Sequence, residues 1–258
     1  MRHPYFAGTR HPRVLAHRGL IPTTREDSPV WENSAAAFAA AHASGAEYIE
    51  TDCRLTVDGD VVLVHDETLI RLAGDARATA TVRTAELRTL FEDHGGLLTV
   101  AEALELFPDT RFNIDVKTDA AAEPAGRLVA PHTERVLLTS FSDRRRRTAV
   151  EAALRAGAAL RPATSGGRRT IMALRAASSM RLSPGRILAD LDAVQIPERY
   201  NGVRVLTPAL LRAAHSRDVE VHVWTVNEPD DIRRLVAMGV DGIVSDRADV
   251  AVSLLHRD

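Results

Sequence analysis

Short apolar runs separated by helix-like segments recur about eight times along this chain, and that alternation constrains its fold more than any other feature. The first run, Val14 to Gly19 (VLAHRG), reads as a strand that breaks at a histidine, an arginine and a glycine. A polar loop rich in Pro and Thr then leads to the alanine-rich helix AAAFAAAHASG, with Asn33 or Ser34 as its cap and Gly45 as its stop. A strand carrying Glu50 and Asp52 follows, and Asp58-Gly59 turns the chain into a further apolar run, VVLV, that ends at His65 and Asp66. Later strands are expected at Arg111 to Lys117, Val136 to Phe141, Ala158 to Thr164, Ala193 to Pro197, Val219 to Val226 and Gly242 to Asp246, with helices between them. The pattern predicts an α/β fold, a (β/α)8 TIM barrel rather than an open sheet. No GxGxxG follows a strand, so nothing marks a dinucleotide fold.

At 258 residues, the length suits one barrel domain over residues 1–258. Residues 67–98 are polar, threonine-rich and bounded by glycine, and fit the alternation less well, which suggests an excursion from the barrel. The composition, 45% hydrophobic and 26% charged, is that of a globular chain with a sizeable core. A formal charge of −2 gives no overall field for nucleic acid or an anionic membrane, so any anion must be captured locally and nucleic acid is not an expected partner. The N-terminus reads as no secretory signal, and nowhere do about twenty apolar residues run together, so no stable membrane insertion is expected and the default location is cytoplasmic. Cys53 is the only cysteine, which excludes an intramolecular disulfide, and it reads as a small buried filler.

The chemistry concentrates at strand ends. Glu50 and Asp52 stand two apart in a strand and so share one face. Two adjacent carboxylates repel, and a shared proton or a hard divalent cation relieves that repulsion. His17-Arg18, Glu50/Asp52, His65-Asp66, Asp115/Lys117 and Trp224 all fall where a barrel keeps its reactive groups, at the C-terminal ends of strands. Each piece alone has a structural reading: His17 and His65 as loop or cap residues, Glu50 and Asp52 as salt-bridge partners of Lys117 and Arg18, Asp115 with Lys117 as an ion pair, Trp224 as core. Two histidines beside three acids are harder to dismiss, because charged groups are seldom buried unless paired or metal-bound. Arg18 and Lys117 also suit phosphate oxygens, and Trp224 suits an apolar wall against a small alcohol. No GxSxG appears, which disfavours a serine hydrolase.

LAHRG, the downstream ENS, GAEYIETDCRLTVDGDVVLVHDETLIR, NIDVK and VWTVNEPDDIRRLVAMGVDGIVSDRAD together resemble the glycerophosphodiester phosphodiesterase family, from Val14 to Asp249. The resemblance implies a TIM barrel with a small insertion after the second strand. It also implies that His17 and His65 are the catalytic acid/base pair, that Glu50, Asp52 and Asp115 hold one divalent cation, Mg²⁺ or Ca²⁺, and that Arg18 and Lys117 contact phosphate. Trp224 corresponds to an aromatic residue lining the glycerol pocket. Two departures stand out: the first βα loop, residues 20–31, is longer than the family's usual spacing, and Asp115 stands where the family often has Glu.

The implied reaction is metal-dependent hydrolysis of a small-molecule glycerophosphodiester to sn-glycerol 3-phosphate and an alcohol. Such a site must neutralise the phosphodiester, align a nucleophile and protonate the leaving alkoxide. The rivals are a lyase of the same barrel that stops at a cyclic phosphate, and a catalytically silent phosphate-binding barrel.

Overall fold

The computed structural model describes residues 2–22 and 29–256. Residues 23–28, within the lengthened first loop, lie outside the described residues.

The strands are β1 (Arg13–His17), β2 (Tyr48–Leu55), β3 (Val61–Leu63), β4 (Arg111–Val116), β5 (Val136–Thr139), β6 (Ala163–Thr164), β7 (Ala193–Pro197), β8 (Arg199–Tyr200), β9 (Val203–Arg204), β10 (Glu220–Trp224) and β11 (Gly242–Ser245). Eight of them pair in the order β6-β5-β4-β2-β1-β11-β10-β7, all in parallel. An isolated parallel bridge between Ser165 and Ala193 joins the two edges and closes the ring. Helices connect successive strands, so the expected (β/α)8 barrel is what the chain forms.

Alternate residues of each strand face opposite ways, which splits the apolar side chains into two sets. The outward set, Val14, Ile49, Phe112, Val194 and Ile243 among them, packs beneath the helices in one continuous core. The inward set, Leu15, Tyr48, Leu137 and Val244, closes the N-terminal end of the barrel together with Tyr5 and Phe6 of a short 3₁₀ turn, Pro4–Phe6. A third apolar cluster, from Val62, Leu69, Leu87 and Phe91, lies under residues 67–98, which carry two short helices, Ile70–Ala73 and Thr84–Phe91.

The structure settles two local details. The VVLV run is no barrel strand: β3 pairs antiparallel with the outer half of β2, Cys53 opposite Leu63, and lies off the ring. His65 therefore reaches the barrel mouth by a hairpin that folds back, which the Asp58-Gly59 turn permits with Gly59 at φ +94. Of the two helix-cap candidates, Ser34 caps Ala35–Ala43 by accepting from the Ala37 amide at 3.2 Å. Asn33 is left for another task.

Candidate active site

Strand register sets the floor of the site. His17 is opposite Glu50 across β1 and β2, Glu50 is opposite Asn113 across β2 and β4, and Asp52 is opposite Asp115 one inward position further along. Just past β1 the chain turns sharply at Arg18 (φ 58) and Gly19 (φ 90). A Cβ on Gly19 would meet the backbone of Ala37 at 2.8 Å, so glycine lets this turn press against the first helix.

All eight residues singled out from the sequence, His17, Arg18, Glu50, Asp52, His65, Asp115, Lys117 and Trp224, line one cavity of about 210 Å³ at the C-terminal mouth of the barrel. Asn113, Gln195 and Phe141 complete much of its wall. Phe141 meets the Trp224 ring edge-on at 6.0 Å, giving one side an apolar face.

The two histidines are held alike. His17 Nδ1 lies 2.6 Å from Asp246 Oδ1, and His65 Nδ1 lies 2.6 Å from Asp66 Oδ1. In each ring the carboxylate takes Nδ1, which leaves Nε2 uncommitted to it in a residue that lines the cavity. Burial works to lower the His17 pKa, but the Asp246 bond and the charge of Glu50 outweigh it and raise it. Asp246 itself is lowered, chiefly by that same bond.

The three acids are buried and differ in their partners. Asp52 is met by Lys117 Nζ at 2.7 Å, Arg18 Nε at 3.2 Å and Asn33 Nδ2 at 3.3 Å. Burial raises its pKa, yet Lys117 and Arg18 outweigh that and hold it low. Asp115 accepts from Lys117 at 2.6 Å through one oxygen, while its other, Oδ1, is buried without a hydrogen-bond partner. Glu50 Oε2 is likewise buried and unpartnered, 3.8 Å from His17 Nε2. Burial first, and then the charge of Asp52, push Glu50 up to about 8.

The salt-bridge alternative for Asp52 and Asp115 is therefore present in the geometry: the Lys117 ammonium bridges both carboxylates. In this arrangement, no three His, Cys, Asp or Glu side chains among the described residues are gathered so as to hold a metal ion. The donor set still suits a hard cation in kind, since it offers only carboxylate oxygens and two of these have no partner.

Sequence reasoning missed the residues that steady this set. Glu32 binds Arg18 at 2.9 Å and also pairs with Arg71, which in turn reaches Asp66 at 2.6 Å. Arg71, from residues 67–98, so links the carboxylate behind His65 to the one behind Arg18. Asn33 (φ 60) accepts from Thr51 at 2.7 Å while donating to Asp52. The only sequence signal for Glu32 and Asn33 is the ENS run, and for Asp246 none precedes the fold, because it lies far along the chain from His17.

Elsewhere in the barrel, His222 and Glu220 face the interior, bonded to each other at 2.9 Å. Cys53 is fully buried, and burial pushes its thiol well up, which keeps it protonated.

Residues 17–250 match the model of the Glycerophosphoryl diester phosphodiesterase family. The chain is 38% identical over 247 residues to the Probable glycerophosphodiester phosphodiesterase 2 of Mycobacterium tuberculosis, covering 94% of this chain and 90% of that one. It is 27% identical to the Glycerophosphodiester phosphodiesterase of Caldanaerobacter subterraneus, covering 95% and 98%. Among solved structures, glycerophosphodiester phosphodiesterase from Thermotoga maritima superposes with a TM-score of 0.70 at 24% identity, covering 95% and 99%. An Oleispira antarctica phosphodiesterase, solved in complex with the product sn-glycerol-3-phosphate, superposes with a TM-score of 0.71 at 19% identity, covering 96% and 98%.

Proposed function

The chain belongs to the glycerophosphoryl diester phosphodiesterase family, and on that premise we propose that it hydrolyses glycerophosphodiesters to sn-glycerol 3-phosphate and an alcohol. The observation that carries the reading is one cavity lined by two carboxylate-held imidazoles, three buried acids and two cations. The product named for the Oleispira antarctica relative is the one such a cavity would release.

A phosphodiester is an anion, and Arg18 and Lys117 supply positive charge where its oxygens would rest. Glu50, Asp52 and Asp115 would hold one divalent cation, Mg²⁺ or Ca²⁺, which supplies further charge neutralisation when bound. The unpartnered Glu50 Oε2 and Asp115 Oδ1 support that assignment. Lys117, held here by Asp52 and Asp115, would give up part of that contact to meet substrate.

Proton movement falls to the imidazoles. With Nδ1 fixed on a carboxylate, Nε2 of one ring accepts a proton from the attacking hydroxyl or water, and Nε2 of the other donates to the departing alkoxide, each step worth about 10²–10⁴ in rate. Trp224 and Phe141 offer the apolar wall against which the glycerol backbone lies.

The test is release of sn-glycerol 3-phosphate from glycerophosphoethanolamine, followed by phosphorus NMR before and after exhaustive chelation. Hydrolysis that stops on chelation and returns with Mg²⁺ or Ca²⁺ is expected, with strong loss in Glu50→Gln. Turnover indifferent to chelation contradicts the cation assignment, and accumulation of a cyclic phosphate would point to the lyase.

A further inference from the structure

A second cavity, of about 340 Å³, adjoins the first at Lys117, which lines both. Its wall comes from the far end of β2 (Arg54), the hairpin exit (Glu67), the 67–98 segment (Ala78, Ala80) and the start of the helix after β4 (Asp119), with Arg145 closing it. It thus lies on the side of the phosphate site next to the segment bearing His65, away from the Trp224 wall.

Most of its charges are already committed. Asp119 is met by both Arg144 and Arg145, and Lys117 by Asp52 and Asp115. Two are not. Arg54 spends one N–H on the His65 carbonyl at 2.9 Å and makes no ion pair among the described residues. Glu67 makes no ion pair among them either. The two are close enough for the Glu67 charge to act on Arg54, yet no salt bridge joins them. A half-buried guanidinium and a solvent-exposed carboxylate that line one cavity without bonding to each other leave room between them for a ligand carrying both opposite charges.

The geometry points to this cavity as the subsite for the leaving headgroup, fitted to an α-amino-acid headgroup such as that of glycerophosphoserine: carboxylate on Arg54, ammonium on Glu67. The assignment rests on the hydrolase reading above and adds its substrate preference. Ethanolamine offers only the ammonium and leaves Arg54 unmet. Choline is served worse still, because quaternary ammonium groups favour aromatic faces and no aromatic side chain lines this wall. Sites built to pair a charged group reject the analogue that lacks it.

Two measurements test the subsite, one of them free of turnover. The ratio of kcat/KM for glycerophosphoserine over glycerophosphoethanolamine is expected to be at least about tenfold in the native protein. Calorimetric binding of O-phospho-L-serine is expected to exceed that of O-phosphoethanolamine by a similar factor. Arg54→Gln should bring both ratios near one. Glu67→Gln should weaken both phosphoamines together while leaving the binding of inorganic phosphate unchanged, a pattern that general damage to the phosphate site cannot produce. Equal use and equal binding of the two headgroups, or a preference untouched by Arg54→Gln, overturns the subsite while the hydrolase stands. A binding preference that persists with no glycerophosphodiester hydrolysed under any divalent ion overturns the hydrolase while the subsite stands.

Discussion

His17 Nδ1 is bonded to Asp246 Oδ1 at 2.6 Å, a contact at the barrel mouth between the ends of the first and last strands that fixes one imidazole's orientation. Asn227 holds the same carboxylate from its other oxygen at 2.8 Å, so the ring's angle is set from two sides. Asp246→Asn keeps the shape but removes the charge and offers the ring either tautomer. The expected outcome is a fall in kcat of at least about tenfold with KM changing less, as for orienting carboxylates elsewhere. Steady-state kinetics on glycerophosphoethanolamine decide it, and an unchanged kcat would show that the bond only packs the rim.

Part of the acid sensitivity should trace to Glu220. Burial raises this carboxyl, but His222 at 2.9 Å and the Arg13 guanidinium at 3.1 Å outweigh it and lower its pKa to about 2. A carboxyl with a folded pKa below its unfolded value binds fewer protons when folded, so its stabilisation is present above about 4.5 and lost as pH falls toward 2. That difference is worth roughly 3 kcal/mol. Glu220→Gln should therefore be less stable than the native protein by about that amount at pH 7, by urea unfolding, with the gap narrowing between about pH 4.5 and 2. A gap constant with pH would assign the loss to packing instead.

Packing between helices Asp119–Val129 and Asp143–Arg155 depends on the absence of one methyl group. A Cβ on Gly126 would meet the Ala149 carbonyl oxygen and the Ala152 side chain. Gly126→Ala raises helix propensity, yet overpacking here should cost about 1–3 kcal/mol, so a lowered Tm is expected. A raised Tm would mean the two helices separate freely.

Much of this molecule could be read from the chain because its signals are local. Strands buried on both faces betray themselves as Val/Ile/Leu runs, and a period of two puts Glu50 and Asp52 on one side wherever the strand goes. What stayed hidden depends on partners remote in sequence. Nothing near His17 announces Asp246, and Arg71 sits in a polar stretch whose side chains gain meaning only when Glu32 and Asp66 arrive beside it. The VVLV run does not itself say whether it joins the barrel, because a short apolar run looks the same in a barrel strand and in a hairpin. The acids are ambiguous for a physical reason: the carboxylates that suit a divalent cation also satisfy Lys117.

On the proposed reading, His17 and His65, which line one cavity, move the protons of phosphodiester hydrolysis. The most direct measurement is turnover of glycerophosphoethanolamine, with Mg²⁺ or Ca²⁺ supplied, by His17→Ala, His65→Ala and the double variant, each checked for native circular dichroism. Losses of about 10²–10⁴ in kcat for each single variant are predicted, and a double variant little worse than the poorer single one. A folded double variant that retains kcat within tenfold of the native value would contradict the account.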